Sequence, residues 1–331
     1  MMRTFNALVV REMADGSCKG TIEARSIDDL PEGEVVVRVY YSSLNYKDAL
    51  SATGNRGVTK AYPHTPGIDA AGEVYRSSDA RFKTGDKVIV TSYDLGMNTS
   101  GGFGEYIRVP AGWVVPLPEG LSLKESMAYG TAGFTAAMSV DSLVAGGVTP
   151  DRGEVLVTGA SGGVGSVAVA ILSKLGYRIA GVTGKTDETP YLKSLGVETV
   201  LSVAEAADTS GRPMLKARWA GCIDTVGGDI LASAVKATAP TGVVTSCGNA
   251  AGANLDLTVY PFILRGVSLV GIDSQNCPMA RRQKIWKKLA SDWKLDTMDE
   301  VASEIRLDEL SARIDDMLAG RHKGRTVVGL G

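Results

Sequence analysis

The stretch Val155-Leu156-Val157-Thr158-Gly159-Ala160-Ser161-Gly162-Gly163-Val164-Gly165 interrupts an apolar run with small residues and then resumes as an apolar segment ending at Leu175. It reads as a strand, a tight turn and a helix. Glycines at such a junction allow a sharp turn, admit phosphates close to the backbone, and let helix and strand pack in near contact. Free N–H groups at the start of the helix attract anions. Two readings stand at this point: the pyrophosphate loop of a dinucleotide site, or a Gly-rich turn with a structural role only. The strand before it, the helix after it and the alternation beyond it support the first.

That alternation is regular. Short apolar runs at 154–158, 178–183, 199–201, 221–224, 243–246 and 268–272 read as strands, with helical periodicity at 163–175, 190–195 and 231–239. Such a sequence implies a parallel sheet wound by right-handed crossovers. Upstream the texture differs. Residues 1–122 read as mostly β, with strands at 35–39, 87–90, 106–109 and 113–116 punctuated by Gly and Pro, as in a small barrel. Helical periodicity begins at 123–129 and continues at 131–144. The last segment carries helices at 280–293 and 307–319 and a strand at 326–328. We expect this tail to rejoin the first part, giving one domain of 1–122 plus 273–331 and a second of 123–272.

The strand at 178–183 runs into Thr183-Gly184-Lys185. A site for NAD usually places an acidic residue here, to hold the ribose 2′-hydroxyl. A hydroxyl, a glycine and a lysine suit a 2′-phosphate instead, and so favour NADPH. The alternative is that Lys185 is a solvated loop lysine. Lys193 lies one helix face away and reads as exposed.

Bulk properties narrow the class. The 331 residues, 44% hydrophobic and 22% charged, suit a two-domain globular enzyme. A net charge of −2 provides no field for nucleic acid or a membrane surface. The basic stretch from Arg281 to Lys288 reads as the outer face of a helix, with Ile285, Trp286 and Leu289 inward. The apolar run from Val164 to Leu172 is too short to span a bilayer. Met1-Met2-Arg3-Thr4 lacks the apolar run of a signal peptide. Cys18, Cys222, Cys247 and Cys277 are isolated, so a reduced, cytoplasmic protein is expected. The two histidines, His64 and His322, are distant from each other and from any cysteine at ligand spacing, so no metal is expected. His64 reads as a loop residue.

Without a metal, polarisation of an isolated ketone or alcohol is weak. Hydride addition to a conjugated alkene makes a different demand: charge delocalises to the carbonyl oxygen as an enolate, which hydrogen-bond donors can stabilise. Quinones and enoyl thioesters share that demand.

Several motifs then carry a resemblance. Ser43-Leu44-Asn45-Tyr46-Lys47-Asp48, Pro66-Gly67-Ile68-Asp69-Ala70-Ala71-Gly72 and Gly102-Phe103-Gly104-Glu105-Tyr106 resemble the catalytic-domain signatures of the quinone-oxidoreductase branch of the medium-chain dehydrogenase/reductases. Zinc-dependent relatives have a His-Glu pair in the stretch that here reads Gly67-Ile68-Asp69. A narrower group, the YhdH/YhfP type with acrylyl-CoA reductase, is similar at Gly130 to Ala136, Gly159 to Gly165, Tyr191 to Gly196, Ile223 to Gly227 and Pro261 to Val267.

The resemblance spans essentially the whole chain. It implies an α/β fold: a Rossmann doubly wound parallel sheet plus a GroES-like, mostly-β catalytic domain, with a cleft between them and usually a homodimer. It also implies NADPH and reduction of an α,β-unsaturated thioester such as acryloyl-CoA. Carried over residue by residue, Tyr46 contacts the cofactor near the nicotinamide. Ser161, Gly162, Gly163 and Val164 hold the pyrophosphate, and Thr183, Gly184 and Lys185 the 2′-phosphate; many relatives have arginine where Lys185 stands. Cys247-Gly248-Asn249 borders the nicotinamide, and Asp273-Ser274 follows the last Rossmann strand.

Tyr46 is the candidate proton or hydrogen-bond donor, the alternative being a stacking residue. Asn45 either bonds the substrate carbonyl or holds a loop. Asp48 reads as a helix cap, and Asp69 as a structural carboxylate satisfied by backbone donors in a Gly-rich bend. A CoA thioester would need cations for its phosphates, for which Arg56, Lys60, Arg265 and Arg325 are candidates. Three functions follow: an enoyl-thioester reductase; a quinone or general enone reductase; and, from a different class, a non-catalytic NADPH-binding protein.

Overall fold

The computed structural model describes residues 3–331; Met1 and Met2, which open the N-terminal stretch read above, lie outside the described residues. The chain divides into two compact units, one of Met1–Thr131, Gln275–Ala290 and Met298–Gly331, the other of Ala132–Ser274 and Ser291–Thr297.

The second unit is built on six parallel strands in the order Thr199–Leu201, Ile179–Val182, Glu154–Val157, Trp219–Asp224, Thr238–Ser246, Ser268–Gly271. In chain order this is 3-2-1-4-5-6, the doubly wound arrangement whose winding reverses between the Glu154 and Trp219 strands. Strands covered on both faces read as apolar runs, and Ile179–Val182 and Trp219–Asp224 are buried at every position. The helix Gly163–Lys174 buries every residue from Gly165 to Leu172, which explains its all-round apolar sequence.

The first unit holds a mostly antiparallel sheet in the order Ala302–Arg306, Arg325–Gly329, Val35–Leu44, Asp69–Ser77, Lys87–Thr91, Val114–Pro116, with Tyr106–Val109 also on the Val35 strand. Val35, Val37 and Val39 pack into one apolar cluster, while Val36 packs into another with Phe5, Val9 and Tyr106. Alternate residues of a strand face opposite sides, so an uninterrupted valine run marks a strand buried on both. A hairpin, Thr4–Glu12 with Cys18–Ser26, stands apart as a two-stranded sheet.

Most expected elements are present, with ends moved by a few residues. The helix expected at 307–319 is a 3-10 turn Leu307–Glu309 followed by Leu310–Leu318. The expected helices at 123–129 and 131–144 form one run, Leu123–Ala145, broken at Gly130. Beyond short 3-10 turns, the elements not anticipated are the hairpin, the strands Asp69–Ser77 and Ala302–Arg306, and the helices Tyr46–Ala52, Val203–Ala206, Tyr260–Arg265 and Met298–Val301. Asp69-Ala70-Ala71-Gly72 reads as a bend by composition, yet Ala70 and Ala71 are buried between neighbouring strands. Among the described residues no helix is long and apolar enough to cross a membrane.

Gly72 lies opposite a bulge in the Val35 strand, where a Cβ would come within 1.8 Å of the Arg38 carbonyl oxygen. Backbone on backbone cannot relax cheaply, so Gly72→Ala should cost at least about 2 kcal/mol. Urea unfolding followed by far-UV circular dichroism checks this; a midpoint equal to wild type would refute the close approach.

Candidate active site

The turn after the Glu154–Val157 strand is held by a hydrogen-bonded staple to the neighbouring strand. Thr158 Oγ1 donates to Asp224 Oδ1 at 2.7 Å and accepts from the Thr225 N–H at 2.9 Å; Thr225 Oγ1 donates to the Thr158 carbonyl at 2.8 Å. Asp224 also accepts from the Gly227 N–H at 2.9 Å, and burial pushes its carboxyl up. These bonds fix the two strand ends at the reversal point of the sheet.

Gly159 then turns with φ of 58°, a left-handed conformation that only glycine adopts freely. At Gly165 a Cβ would lie 2.2 Å from the Gly159 carbonyl oxygen, so no side chain fits there. Gly162 caps the helix with no side-chain hydrogen bond, and the first turn carries no acidic residue. Gly162, Gly163 and Val164 are half-exposed. The helix therefore presents uncapped N–H donors over a cradle too tight for a Cβ, which fits a pyrophosphate.

Beside it, the Ile179–Val182 strand ends in Thr183, whose Oγ1 lies 3.2 Å from Ser161 Oγ and accepts from the Lys185 N–H at 3.1 Å. Burial lowers the Lys185 pKa, while Glu188 and Asp187 raise it. Residues 183–185 hold no carboxylate, and the Ser161 and Thr183 hydroxyls meet at this strand end beside the Lys185 backbone. Asn249 is exposed after the Thr238–Ser246 strand. Ser274 accepts from Thr135 Oγ1 at 2.8 Å. All nine of these cofactor candidates (Ser161, Gly162, Gly163, Val164, Thr183, Gly184, Lys185, Asn249 and Ser274) lie in the second unit. Burial and the Asp224 carboxylate push the Cys247 thiol up to about 12, which removes it as a nucleophile.

In the first unit, Tyr46 opens the helix Tyr46–Ala52 and is 57% exposed. The residues around it are buried and bonded. Asn45 Nδ2 donates to Asp69 Oδ2 at 2.7 Å, and Asn45 Oδ1 accepts from Arg325 Nη1 at 3.2 Å. Asp48 Oδ2 accepts the Asn45 N–H at 2.8 Å and Asp48 Oδ1 the Ile68 N–H at 2.8 Å. Asp69 further accepts from Ser43 Oγ at 2.6 Å and from Thr131 Oγ1 at 2.6 Å. Arg325 Nε and Nη1 donate to the carbonyls of Ala128 and Leu44, both at 3.1 Å, and Nη2 to Ser43 Oγ at 2.8 Å. At the kink, a Cβ on Gly130 would fall 2.4 Å from Ser43 Oγ.

Two family models match the chain: the alcohol dehydrogenase GroES-like domain over residues 31–119, and zinc-binding dehydrogenase over 163–293. YhfP of Bacillus subtilis, assigned by name to the quinone oxidoreductases, is 45% identical over all of both chains. Its crystal structure with NAD bound superposes with a TM-score of 0.96, covering 99% of this chain and 100% of that one. Acrylyl-CoA reductase AcuI of Ruegeria pomeroyi is 46% identical over 98% of each chain. The yhdH oxidoreductase of Salmonella enterica in complex with NADP superposes with a TM-score of 0.95 at 44% identity, covering 98% of this chain and 100% of that one. The chain belongs to the medium-chain dehydrogenase/reductase family, in its YhdH/YhfP-type quinone-oxidoreductase branch.

Medium-chain reductases are oxidoreductases, and the geometry bears on which side chains could act. Asn45, read as a possible carbonyl contact, has its amide committed to Asp69, Asp48, Ser43 and Arg325, and so does the holding task instead. Asp69 takes most of its bonds from side chains, with Thr131 its one backbone donor among the described residues, rather than from the backbone of a Gly-rich bend. Arg325, a candidate for thioester phosphates, is 2% exposed and serves this network, so it is withdrawn. Arg265 is turned onto the carbonyls of Lys236, Thr238 and Leu215, and Arg56 pairs with Glu12. His64 bonds the Gly96 carbonyl and His322 the Thr326 hydroxyl, each at 2.9 Å. Among the described residues no three His, Cys, Asp or Glu side chains converge as a metal site.

Asp48 is the titratable member of the network. Burial first, and the nearby Asp69 second, push its carboxyl up to about 7. A free carboxyl titrates at about 3.9, so the folded state keeps a proton that the unfolded chain has released. The stability this supplies is complete below about pH 4 and is lost as pH rises through about 7. Wild type should therefore lose Tm relative to Asp48→Asn between about pH 5 and about pH 8. Calorimetry at several pH values reads the difference, and a gap that does not change with pH would contradict the assignment.

Proposed function

We propose that this protein is an NADPH-dependent reductase of a carbon–carbon double bond conjugated to a carbonyl, with an enoyl-CoA thioester such as acryloyl-CoA as substrate. The meeting of the Ser161 and Thr183 hydroxyls at one strand end, with Lys185 two residues on, carries the cofactor assignment, because a phosphate finds two hydroxyls and a nearby lysine where an NAD site offers a carboxylate. The substrate class rests on the 46% identity, over 98% of each chain, to acrylyl-CoA reductase AcuI.

On this reading the N–H groups of Gly163 and Val164, with Ser161 and Gly162, hold the pyrophosphate; Thr183, Gly184 and Lys185 hold the 2′-phosphate; and Asn249 and Ser274 border the nicotinamide. Bound NADPH supplies a hydride for the β-carbon. The protein's part is alignment and charge stabilisation. Tyr46, exposed at the start of its helix, donates a hydrogen bond to the substrate carbonyl, where enolate charge develops. Asn45 acts through Tyr46, holding the helix start that carries it. No step requires a metal. The first unit is the catalytic domain, the second the cofactor domain, and the enzyme works as a cytoplasmic homodimer. The four free cysteines support a reducing compartment. A quinone or enone acceptor is the second reading, favoured by the 45% identity to YhfP.

The test follows nicotinamide oxidation with acryloyl-CoA, with 1,4-benzoquinone, and with NADH in place of NADPH. Turnover of acryloyl-CoA with NADPH preferred is expected; quinone turnover alone would move the function to the second reading. Loss of one charge-assisted phosphate contact in Lys185→Gln should raise the KM for NADPH by about tenfold to a hundredfold and leave that for NADH nearly unchanged. Equal effects on both cofactors would remove Lys185 from the 2′-phosphate. Tyr46→Phe should lower kcat by about tenfold or more with the KM for NADPH preserved.

A further inference from the structure

In the first unit, the strands Thr4–Glu12, Val35–Leu44 and Tyr106–Val109 contribute to the walls of a cavity of about 120 Å3 lined by Arg3, Arg38, Glu105 and Tyr106 among others. None of these residues belongs to the Tyr46 network or to the glycine loop. Tyr106 is 3% exposed, and among the described residues its buried hydroxyl has no hydrogen-bond partner. Its ring is fixed by Phe5, with centroids 5.6 Å apart, and by Tyr75 at 5.4 Å. The hydroxyl therefore cannot swing out to find a partner, and leaving a buried hydroxyl unpaired is unfavourable.

The two cations at this cavity are held unusually. The Arg3 guanidinium lies over the rings of Tyr75 and Tyr106, at 5.1 and 5.3 Å, and Arg38 over Tyr40 at 4.9 Å. Among the described residues neither arginine forms an ion pair. The one acidic side chain in the lining, Glu105, is turned onto Asn6, accepting from its N–H at 3.2 Å and from Nδ2 at 3.5 Å; Thr4, Val39, Leu330 and Gly331 complete the walls. A stacked guanidinium uses its face and keeps its in-plane N–H donors for another partner. Arg38 and Tyr106 are also direct partners across adjacent strands, so the sheet register sets their spacing. Arg3 and Arg38 are the cations acting on the Tyr106 phenol, opposing the upward push of burial on its pKa.

Two guanidinia outside any ion pair, and one buried phenol with no geometric hydrogen-bond partner among the described residues, share a space of about four water volumes. That space is too small for a nucleotide and large enough for one tetrahedral oxyanion. We propose that this cavity is an oxyanion site for a phosphate group, with Arg3 and Arg38 supplying charge and the Tyr106 hydroxyl a third donor. Arginine forks match tetrahedral oxyanions in geometry.

The experiment is isothermal titration of inorganic phosphate into the protein held in saturating NADPH, so that the nucleotide's own phosphate positions are filled, against sodium chloride at matched ionic strength. Saturable binding is expected, weakened by at least about tenfold in Arg38→Gln and by about threefold in Tyr106→Phe. Arg3→Gln repeats the test at an exposed position should Arg38→Gln not fold. Glycerol 3-phosphate as a second titrant separates the sources: binding like phosphate assigns the terminal group of a phosphorylated metabolite, and binding of phosphate alone assigns the free ion. No saturation beyond the salt control, or affinity unchanged in the Arg38 and Arg3 variants, overturns the site.

Discussion

The first unit depends on one carboxylate. Asp69 is fully buried, and an unpaired ion there would cost several kcal/mol. It is tolerated because Thr131, Ser43 and Asn45 all donate to it, with Arg325 Nη2 3.9 Å away. Those partners come from distant points in the chain: the end of the Val35 strand, the kink at Gly130, and the Arg325 strand. Satisfying Asp69 therefore gathers three segments at once, and the same bonds set where Tyr46 begins its helix. Burial first, and the neighbouring Asp69 carboxylate second, keep the proton on the other acid of the network, Asp48, toward neutrality. Removing one of the neutral donors would leave part of the buried Asp69 carboxylate unsatisfied, a change that typically costs about 1–3 kcal/mol.

The second unit reaches its geometry by a different route. Its candidate binding surface is main chain: the uncapped N–H groups after Gly162 and the close approach of Gly165 to the Gly159 carbonyl. The one buried acid among its described residues, Asp224, faces its own strand ends and steadies the turn through Thr158 and Thr225. A pyrophosphate is recognised by donors and a dipole in fixed positions, so rigidity of the loop matters more than the identity of its side chains.

This division explains what could be read from the sequence. The parallel sheet was legible because buried strands announce themselves as apolar runs, and because a glycine loop after the Glu154 strand has few other causes. The cofactor candidates at 161–164 and 183–185 are local to that loop and the neighbouring strand end. The buried network was opaque. Asn45 and Asp69 are 24 residues apart, and Arg325 lies 280 from Asn45, so spacing carries no sign of their contact. Arg325 was read as a surface cation because arginine usually is one. Gly130-Thr131, inside an otherwise helical pattern, was the available clue: a glycine there implies that something packs where a Cβ would be. The strand Asp69–Ser77 was missed for the same reason, since its Asp and Gly serve long-range contacts and disguise its periodicity.

On the proposed reading, cofactor choice rests on a narrow margin. A pocket that excludes NAD would need steric or electrostatic rejection of a bare 2′-hydroxyl, and Thr183 and Ser161 can bond a hydroxyl as readily as a phosphate. Preference for the phosphate then falls to the Lys185 ammonium, whose charge Asp187 and Glu188 partly offset in the pocket's field. Lysine is a point charge on a flexible stem and lacks the planar fork that grips phosphate in two places. Discrimination here is a difference between two affinities, with attraction to one ligand and little repulsion of the other. Such a preference is moderate in size and falls with ionic strength, because a half-exposed ammonium is screened over a Debye length of about 8 Å at physiological salt. The physical design thus admits both nucleotides and ranks them by a single charge.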